Sequence, residues 1–166
     1  MFEIINNRVW IFFVQNPLKK VHIRELARII SLSPAKVSQL SNCLVSEGLL
    51  QSSREGKNLV LSSNYDNELF IEKKKWTNLF LLLDCGLLEK LKKESKVIIL
   101  FGSYARGEDT EKSDIDIAID AKPTFKAEGF EDVLGRNIQY HYINNHISAN
   151  LKENIHQGLI LSGVMP

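Results

Sequence analysis

The stretch FGSYARGEDTEKSDIDIAID, residues 101–120, decides the fold of the C-terminal part of this 166-residue chain. The apolar run KVIILF (96–101) leads into it and predicts a short buried strand. Gly102 allows the backbone to turn sharply where that strand ends, and SYAR predicts the first turn of a helix. From Asp114 to Asp120, three aspartates and Ala118 alternate with isoleucines, which predicts a second strand with its acids on one face.

Two features of this stretch form a candidate site for a phosphate and a metal ion. Free backbone N–H groups at a helix start, with the hydroxyl of Ser103, attract an anion. Arg106 either reaches the same anion or pairs with an acidic neighbour in the following loop. Side chains two residues apart in a strand share a face, with Cα atoms roughly 6.5–7 Å apart. Asp114 and Asp116 can therefore hold one Mg²⁺ between them, together with substrate phosphates.

The order strand, Gly-Ser, helix, acidic loop and Asp-x-Asp strand resembles the nucleotidyltransferase superfamily of DNA polymerase beta. GSYARGEDTEKSDIDIAID looks most like the minimal nucleotidyltransferases, and the resemblance covers about residues 94–166, including NLKENIHQGLILSG. It implies that Gly102 and Ser103 contact the phosphates of a nucleoside triphosphate such as ATP. It also implies that Asp114 and Asp116 bind Mg²⁺ and are catalytic. Minimal nucleotidyltransferases often act as antitoxins that modify a HEPN-type toxin, so such a protein is a candidate partner.

One residue of the family pattern is missing. The family supplies a third carboxylate from the next strand, which is predicted at NIQYHYI (137–143), and the position expected to be acidic is Gln139. A neutral amide takes up no proton and binds Mg²⁺ weakly. Asp120 lies too far along its strand to replace the acid, whereas His141 shares the face of Gln139 as either an assisting or a packed histidine. We expect nucleotide binding and leave catalysis open.

The first 63 residues predict a separate helical domain. HIRELARII (22–30) and PAKVSQLSNCLVSEG (34–48) carry apolar residues at helical spacing, and LLQSS and NLVLSS surround the turn REGK (54–57) as a hairpin. These phrases and their order resemble the winged helix-turn-helix domain of MarR/ArsR-like regulators. The resemblance implies double-stranded DNA as a partner. Winged helices also serve as protein-docking modules, and this alternative stays open.

The second of these helices predicts a DNA-facing side. Its expected buried residues are Val37, Leu40, Cys43 and Leu44. The residues expected to approach DNA from the helix are Lys36, Ser38, Gln39, Ser41 and Asn42. Arg54 and Lys57 at the hairpin tip are expected to contact phosphates. Residues 1–62 carry eight basic and four acidic side chains, a net charge of +4 against −3 for the remainder, which favours a polyanion partner for this part.

Residues 64–94 predict a helical connector, broken near Asp84-Cys85-Gly86, in which Lys73–Lys75 is expected to be a solvated face. In dimeric winged-helix proteins such a helix builds the dimer interface, so we expect a homodimer. The two cysteines are expected to be small core residues in a reducing compartment. No apolar stretch reaches membrane-spanning length and the start lacks a signal-peptide layout, so we expect a cytoplasmic protein.

The predicted fold class is α+β. We expect a winged helix-turn-helix domain over residues 1–63, the connector over 64–94, and a small nucleotidyltransferase-like domain over 95–166. The last domain is expected to contain a mixed β-sheet flanked by helices.

Overall fold

A computed structural model of the chain describes residues 2–56, 58–143 and 147–164. The chain divides into two compact units, Met1–Thr77 and Asn78–Pro166. Among the described residues, no helix is long and apolar enough to cross a membrane. The three-part division at residues 63 and 94 stays a prediction.

The N-terminal unit packs short helices against a three-stranded antiparallel sheet of order β1-β3-β2. Its elements in chain order are α1 (Phe2–Ile5), α2 (Arg8–Gln15), β1 (Lys20–His22), α3 (Ile23–Ile29), α4 (Pro34–Ser46), β2 (Leu50–Glu55) and β3 (Asn58–Ser63). The hairpin of β2 and β3 pairs Leu50 with Ser63 at its base and Glu55 with Asn58 at its tip. The chain order in this unit is therefore helix, helix, strand, helix, helix and hairpin.

Helix α4 is rotated slightly from the orientation that its apolar pattern predicts. Ser33 caps it by accepting a hydrogen bond from the backbone N–H of Lys36, as expected of a serine before a first-turn proline. Ser41, predicted to be exposed, is buried, and its Oγ donates to the backbone oxygen of Val37 at 2.7 Å. Cys43, predicted to be buried, is exposed. Residues 37, 41 and 44 form one buried stripe, because residues three and four apart share a helix face. Position 41 therefore faces the core, and position 43 does not.

A long helix, α5 (Glu68–Asp84), follows the hairpin, and α6 (Leu87–Glu94) follows it after a break at Gly86, where φ is +82°. The boundary between the two units falls within α5. Lys74, expected to be solvated, is fully buried, whereas Trp76 is 47% exposed. Thr77 accepts a hydrogen bond at 2.9 Å from the indole N–H of the buried Trp10, which ties the first half of α5 to α2.

The C-terminal unit contains the predicted mixed sheet flanked by helices. Its remaining elements are β4 (Ile98–Phe101), α7 (Gly102–Arg106), β5 (Ile115–Ile119), α8 (Glu128–Leu134), β6 (Ile138–Tyr142), α9 (Ala149–His156) and β7 (Leu159–Ser162). The strand order is β6-β5-β4-β7, in which β5 and β6 run parallel and the other pairs antiparallel. The strands β4 and β5 therefore occupy the centre of the sheet, and α7 lies between them in the chain.

Both faces of this sheet are covered. One face carries Ile115 and Ile117 in a buried cluster with Leu87 and Leu91 of α6. The opposite face carries the buried side chains of Ile99, Phe101 and Ala118, which cluster with Ile155 of α9. The side chain of Asp116 points toward this second face, because successive residues of a strand alternate between faces.

Candidate active site

The Gly-Ser turn and the first strand aspartate are in close contact. Gly102 has a φ of +76°, and a Cβ at this position would collide with Oδ2 of Asp116. Phe101, the residue before the turn, is the direct cross-strand partner of Asp116 in the antiparallel pair of β4 and β5. Glycine at position 102 therefore allows both the left-handed backbone conformation and the close approach of the Asp116 carboxylate.

Strand β6 and the residue just before it bring polar side chains next to the two aspartates. Asp114 precedes β5, and its Oδ1 accepts a hydrogen bond at 3.3 Å from the side-chain amide of Asn137. Oδ1 of Asp116 lies 2.9 Å from Nε2 of His141. The imidazole of His141 packs edge-on against the ring of Phe101, with centroids 4.9 Å apart. This histidine is thus part of the site.

The position expected to carry the third acid is occupied by an amide. Gln139 is the direct register partner of Asp116 between the parallel strands β5 and β6, and its side chain is exposed. Two nearby acidic side chains accept hydrogen bonds from backbone N–H groups. Oε1 of Glu131 accepts from the N–H of Ile138 at 2.7 Å, and Oδ1 of Asp120 accepts from two N–H groups just before β4 at 2.9 and 3.1 Å. In the described ranges, no three His, Cys, Asp or Glu side chains form a metal-binding cluster.

In this structure Arg106 pairs with an acidic neighbour in the following loop. Its Nε donates to Oε2 of Glu108 at 2.7 Å, and both side chains are about half exposed, at 48% and 51%. The backbone oxygen of Ser103 accepts from the N–H of Glu108 at 2.9 Å, which closes the turn after α7. Contact of Arg106 with a nucleotide phosphate stays a prediction.

A buried polar network that the sequence did not indicate supports the loop between Ser103 and Asp114. Asp109 and Arg136 form an ion pair at 3.1 Å with side chains only 1% and 4% exposed. Oδ1 of Asp109 also accepts from the side-chain amide of Asn78 at 2.7 Å. A single Asp within the polar run GEDTEKS carries no pattern that distinguishes it from a solvated loop residue, so this role was not predictable.

Comparison with known families agrees with this geometry. Residues 84–160 match the family model described as nucleotidyltransferase domain, and the match spans the Gly-Ser turn, both aspartates and β6. The C-terminal unit contains a nucleotidyltransferase domain. No curated protein and no solved structure matches the chain.

The donor groups of the nucleotidyltransferase domain fit a hard divalent cation. Magnesium in phosphate-transfer sites is usually held by one or two protein carboxylates, with water and substrate phosphates as the other ligands. Asp114 and Asp116 supply two carboxylates beside the Gly-Ser turn. These two residues would therefore hold the ion. Neutralisation of phosphate charge is the chemistry that such an ion supplies.

The residues predicted to contact DNA lie in the N-terminal unit, and their contact with DNA stays a prediction. The side chains of Lys36, Gln39, Asn42 and Arg54 are exposed, and that of Ser38 is half-buried. Nζ of Lys36 donates to Oε1 of Gln39 at 3.2 Å, and both residues line a groove beside α5. Lys57 lies outside the described residues.

Proposed function

We propose that the chain is a cytoplasmic DNA-binding regulator whose nucleotidyltransferase domain binds a nucleoside triphosphate with Mg²⁺. The observation that carries the nucleotide site is the contact between Gly102 and Asp116. It joins the phosphate-binding turn to the carboxylates, so that one triphosphate can reach both. The donor set, in which Gln139 replaces an acid, favours binding over rapid turnover.

Each residue of the proposed nucleotide site has a separate role. The hydroxyl of Ser103 and the backbone N–H groups after Gly102 hold phosphate oxygens. Asp114 and Asp116 would hold a magnesium ion, which would neutralise the charge of the phosphates. Arg106 exchanges its exposed partner Glu108 for a phosphate, which costs little because exposed ion pairs contribute at most about 1 kcal/mol. ATP is the proposed nucleotide.

DNA binding by the N-terminal unit rests on three observations. The order of helices and hairpin suits a winged helix-turn-helix, residues 1–62 carry a net charge of +4, and α4 exposes Lys36, Gln39 and Asn42. In this proposal α4 approaches base edges, and the hairpin residues Arg54 and Lys57 contact phosphates. The proposal includes a homodimer, since regulators of this kind read two half-sites.

The nucleotide site is tested by thermal unfolding with Mg·ATP and with the other nucleoside triphosphates. A ligand that binds only the folded state stabilises it by about 2.7 kcal/mol at about one hundred times its dissociation constant. We expect a magnesium-dependent shift that Asp114→Asn/Asp116→Asn abolishes. Glu153→Gln, which removes an exposed carboxylate from α9 of the same unit, should keep it. A wild-type chain that shows no shift with any triphosphate rules out the proposed site.

DNA binding is tested with a fluorescent duplex of mixed sequence at several salt concentrations. Arg54→Glu or Lys57→Glu should weaken binding, and affinity should fall steeply as salt rises, because phosphate contacts release counterions. Lys122→Glu, an equal change of charge at an exposed position of the C-terminal unit, should have a smaller effect. Binding that is absent, or insensitive to salt, contradicts this part of the proposal.

A second candidate function is nucleotidyl transfer, favoured by the match to a transferase domain and by the intact Gly-Ser and Asp-x-Asp elements. In this reaction an acceptor hydroxyl of a protein, such as a HEPN-type partner, or of a nucleic acid attacks the α-phosphorus. Pyrophosphate leaves, and the hydroxyl proton passes to a base. An α-labelled triphosphate should then leave label on the acceptor, and Asp114→Asn should abolish the labelling. Labelling that persists in this variant places the chemistry elsewhere.

A further inference from the structure

A histidine and an aspartate of the C-terminal sheet form a close pair of metal-ligand groups. Nε2 of His141 lies 2.9 Å from Oδ1 of Asp116, and the two side chains are only 18% and 24% exposed. Carboxylate oxygens and imidazole nitrogens are both common ligands of divalent cations. Because Asp116 is one of the carboxylates proposed to hold magnesium, the pair lies at the nucleotide site.

The register of the sheet explains how the two side chains meet. His141 is the direct partner of Ala118 between the parallel strands β5 and β6, and Asp116 lies two residues before Ala118. Residues two apart in a strand share a face, so His141 and Asp116 lie diagonally on one face of the sheet. The side chain of Ala118 is a single methyl group, which leaves the imidazole room to lean toward Asp116.

Neighbouring residues hold both ligand groups in position. The imidazole of His141 packs edge-on against the ring of Phe101, with centroids 4.9 Å apart and an angle of 66° between the planes. Phe101 is also the cross-strand partner of Asp116. On its other side the Asp116 carboxylate approaches Gly102 so closely that a Cβ there would collide with Oδ2. Groups that are positioned before binding lose less conformational freedom when the ligand arrives.

The distance between the two atoms suits two ligands of one ion. Nitrogen and oxygen ligands lie roughly 2.0–2.2 Å from a small divalent cation, so neighbouring ligands of an octahedral ion are roughly 2.8–3.1 Å apart. The 2.9 Å between Nε2 and Oδ1 falls within this range. A hydrogen bond spans the same distance, but it gives no nitrogen–metal coupling, which makes the two arrangements distinguishable by experiment.

We propose that His141 is a metal ligand, and that Asp116 and His141 together hold a first-row transition-metal ion such as Mn²⁺ in preference to Mg²⁺. Carboxylates suit both Mg²⁺ and Mn²⁺, whereas imidazole nitrogen suits transition metals and adds little for Mg²⁺. One ligand of each kind therefore favours the transition metal. Water and phosphate oxygens supply the remaining ligands.

The proposal gives the missing acid of β6 a substitute. Gln139 is the register partner of Asp116, yet its side chain is exposed and a neutral amide binds metal weakly. His141 then supplies the metal ligand from this strand. An imidazole in place of a carboxylate also leaves the site less negative, which favours a negatively charged triphosphate. This inference rests on the proposed metal-binding role of Asp116 and is independent of DNA binding and of nucleotidyl transfer.

The test uses Mn²⁺ alone with the full chain, without nucleotide. Free Mn²⁺ is measured by its EPR signal during titration, and pulsed EPR of the bound ion detects nitrogen that is directly coordinated. We expect a nitrogen coupling in the wild-type protein, and a changed coupling when only the histidines carry the heavier nitrogen isotope. Bound Mn²⁺ without a histidine-nitrogen coupling overturns the proposal, as does a chain that binds no Mn²⁺. This measurement needs no variant.

Two histidine variants assign the nitrogen. His141→Gln should remove the coupling and weaken Mn²⁺ binding by at least roughly tenfold, because loss of even a neighbour of a metal ligand typically costs 10–100-fold in affinity. His156→Gln removes an exposed histidine from α9 of the same unit and should keep the coupling and the affinity. A coupling that persists in His141→Gln assigns the nitrogen to another histidine and overturns the proposal.

Magnesium separates a ligand from a residue that only positions Asp116. If His141 acted only through Asp116, its loss would weaken the binding of both ions alike. We expect His141→Gln to lower the affinity for Mn²⁺ while the Mg²⁺ concentration that gives half of the thermal shift with ATP stays nearly unchanged. Equal losses for Mn²⁺ and Mg²⁺ reject His141 as a ligand.

Failure of this inference and failure of the nucleotide proposal give different results. A chain that Mg·ATP stabilises, but whose bound Mn²⁺ shows no nitrogen coupling, keeps the nucleotide site and rejects His141 as a ligand. A histidine-nitrogen coupling that depends on His141, in a chain that no triphosphate stabilises, supports the pair of Asp116 and His141 as a metal site and rejects the nucleotide proposal.

Discussion

Oδ2 of Asp116 occupies the space that a β-carbon on Gly102 would need. Gly102 and Asp116 are fourteen positions apart in the sequence. In space they touch, because Phe101 and Asp116 are cross-strand partners. Gly102 also has a φ of +76°, a conformation that residues with a side chain rarely adopt. The close approach of Asp116 to the turn therefore depends on the absence of one methyl group at position 102.

The change Gly102→Ala should damage both the fold and the site. Alanine in the left-handed region costs roughly 1–2 kcal/mol, and the collision forces Asp116 to move. We expect urea unfolding to show a loss of at least about this size, and Mg·ATP to stabilise the variant no longer. Gly129→Ala is the matched control, because a Cβ there meets nothing within 4 Å and the helical site gains roughly 0.5–1 kcal/mol. A Gly102→Ala chain that keeps wild-type stability and its response to Mg·ATP contradicts this view.

The alternating and apolar patterns of residues 96–120 were sufficient to predict β4, the turn and β5, because strand periodicity is a local property. The strand order implied by the family pattern also placed Gln139 in line with Asp116, as the register shows. The mixed sheet with flanking helices is confirmed for the C-terminal unit.

The buried faces of α4 and α5 differ from those that the sequence predicts, because packing against neighbouring elements selects the face of a helix. Hydrophobicity favours Cys43 over Ser41 for the buried side of α4, yet Ser41 is buried, and its hydroxyl is satisfied by donating to the helix backbone. The charge of Lys74 predicts a solvated side chain, yet Lys74 is fully buried. The pairing of Asp109 with Arg136 joins residues far apart in sequence, and no local pattern encodes it.

The Tyr140 hydroxyl should be dispensable for stability at neutral pH. Its oxygen is buried and has no hydrogen-bond partner among the residues that the structure describes. A buried polar group without a partner costs free energy, so Tyr140→Phe should leave the free energy of unfolding unchanged or raise it. Tyr104→Phe is the comparison, since the Tyr104 hydroxyl donates to the backbone oxygen of Asn78 at 3.3 Å. Its loss should cost about 0.5–1.5 kcal/mol, measured by urea unfolding at neutral pH.

The same tyrosine should contribute to alkaline unfolding. Burial, with the nearby Glu131 carboxylate as a smaller cause, raises the pKa of Tyr140 to about 12. A folded-state pKa above the unfolded value gives stability that is complete below pH about 10 and is lost as pH rises toward 12. Tyr140→Phe should therefore lose less stability than wild type over that range. Equal alkaline losses in the two proteins would show that the hydroxyl ionises as freely in the folded state as in the unfolded chain.

Breaking the buried pair of Asp109 and Arg136 should lower the free energy of unfolding far more than breaking the exposed pair of Arg106 and Glu108. Arg136→Met leaves the Asp109 carboxylate buried without its ion-pair partner, which typically costs about 3–5 kcal/mol. Arg106→Met breaks an exposed pair with Glu108 and should cost at most about 1 kcal/mol. Urea unfolding of the two variants measures both values. Similar costs would mean that the network does not hold the loop that leads to Asp114.

Gln139→Glu should make the site more dependent on metal. The new carboxylate lies directly beside Asp116 across the parallel strands, at an exposed position that accepts a charge. Like charges opposite each other destabilise a sheet by roughly 0.2–1 kcal/mol, so we expect the variant to be less stable than wild type in EDTA. A shared Mg²⁺ reverses the repulsion, because the ion binds the three carboxylates together more tightly than two.

Thermal unfolding in EDTA and in Mg²⁺ therefore distinguishes an effect of a shared magnesium ion from an effect of the added charge alone. Gln157→Glu, an exposed change of the same kind at the end of α9, should shift stability equally in both buffers. Gln139→Glu should lose stability in EDTA and gain it with Mg²⁺. If the gain with Mg²⁺ is absent, the side chains at 116 and 139 do not share an ion, and the amide of Gln139 is not what separates this site from a three-carboxylate centre.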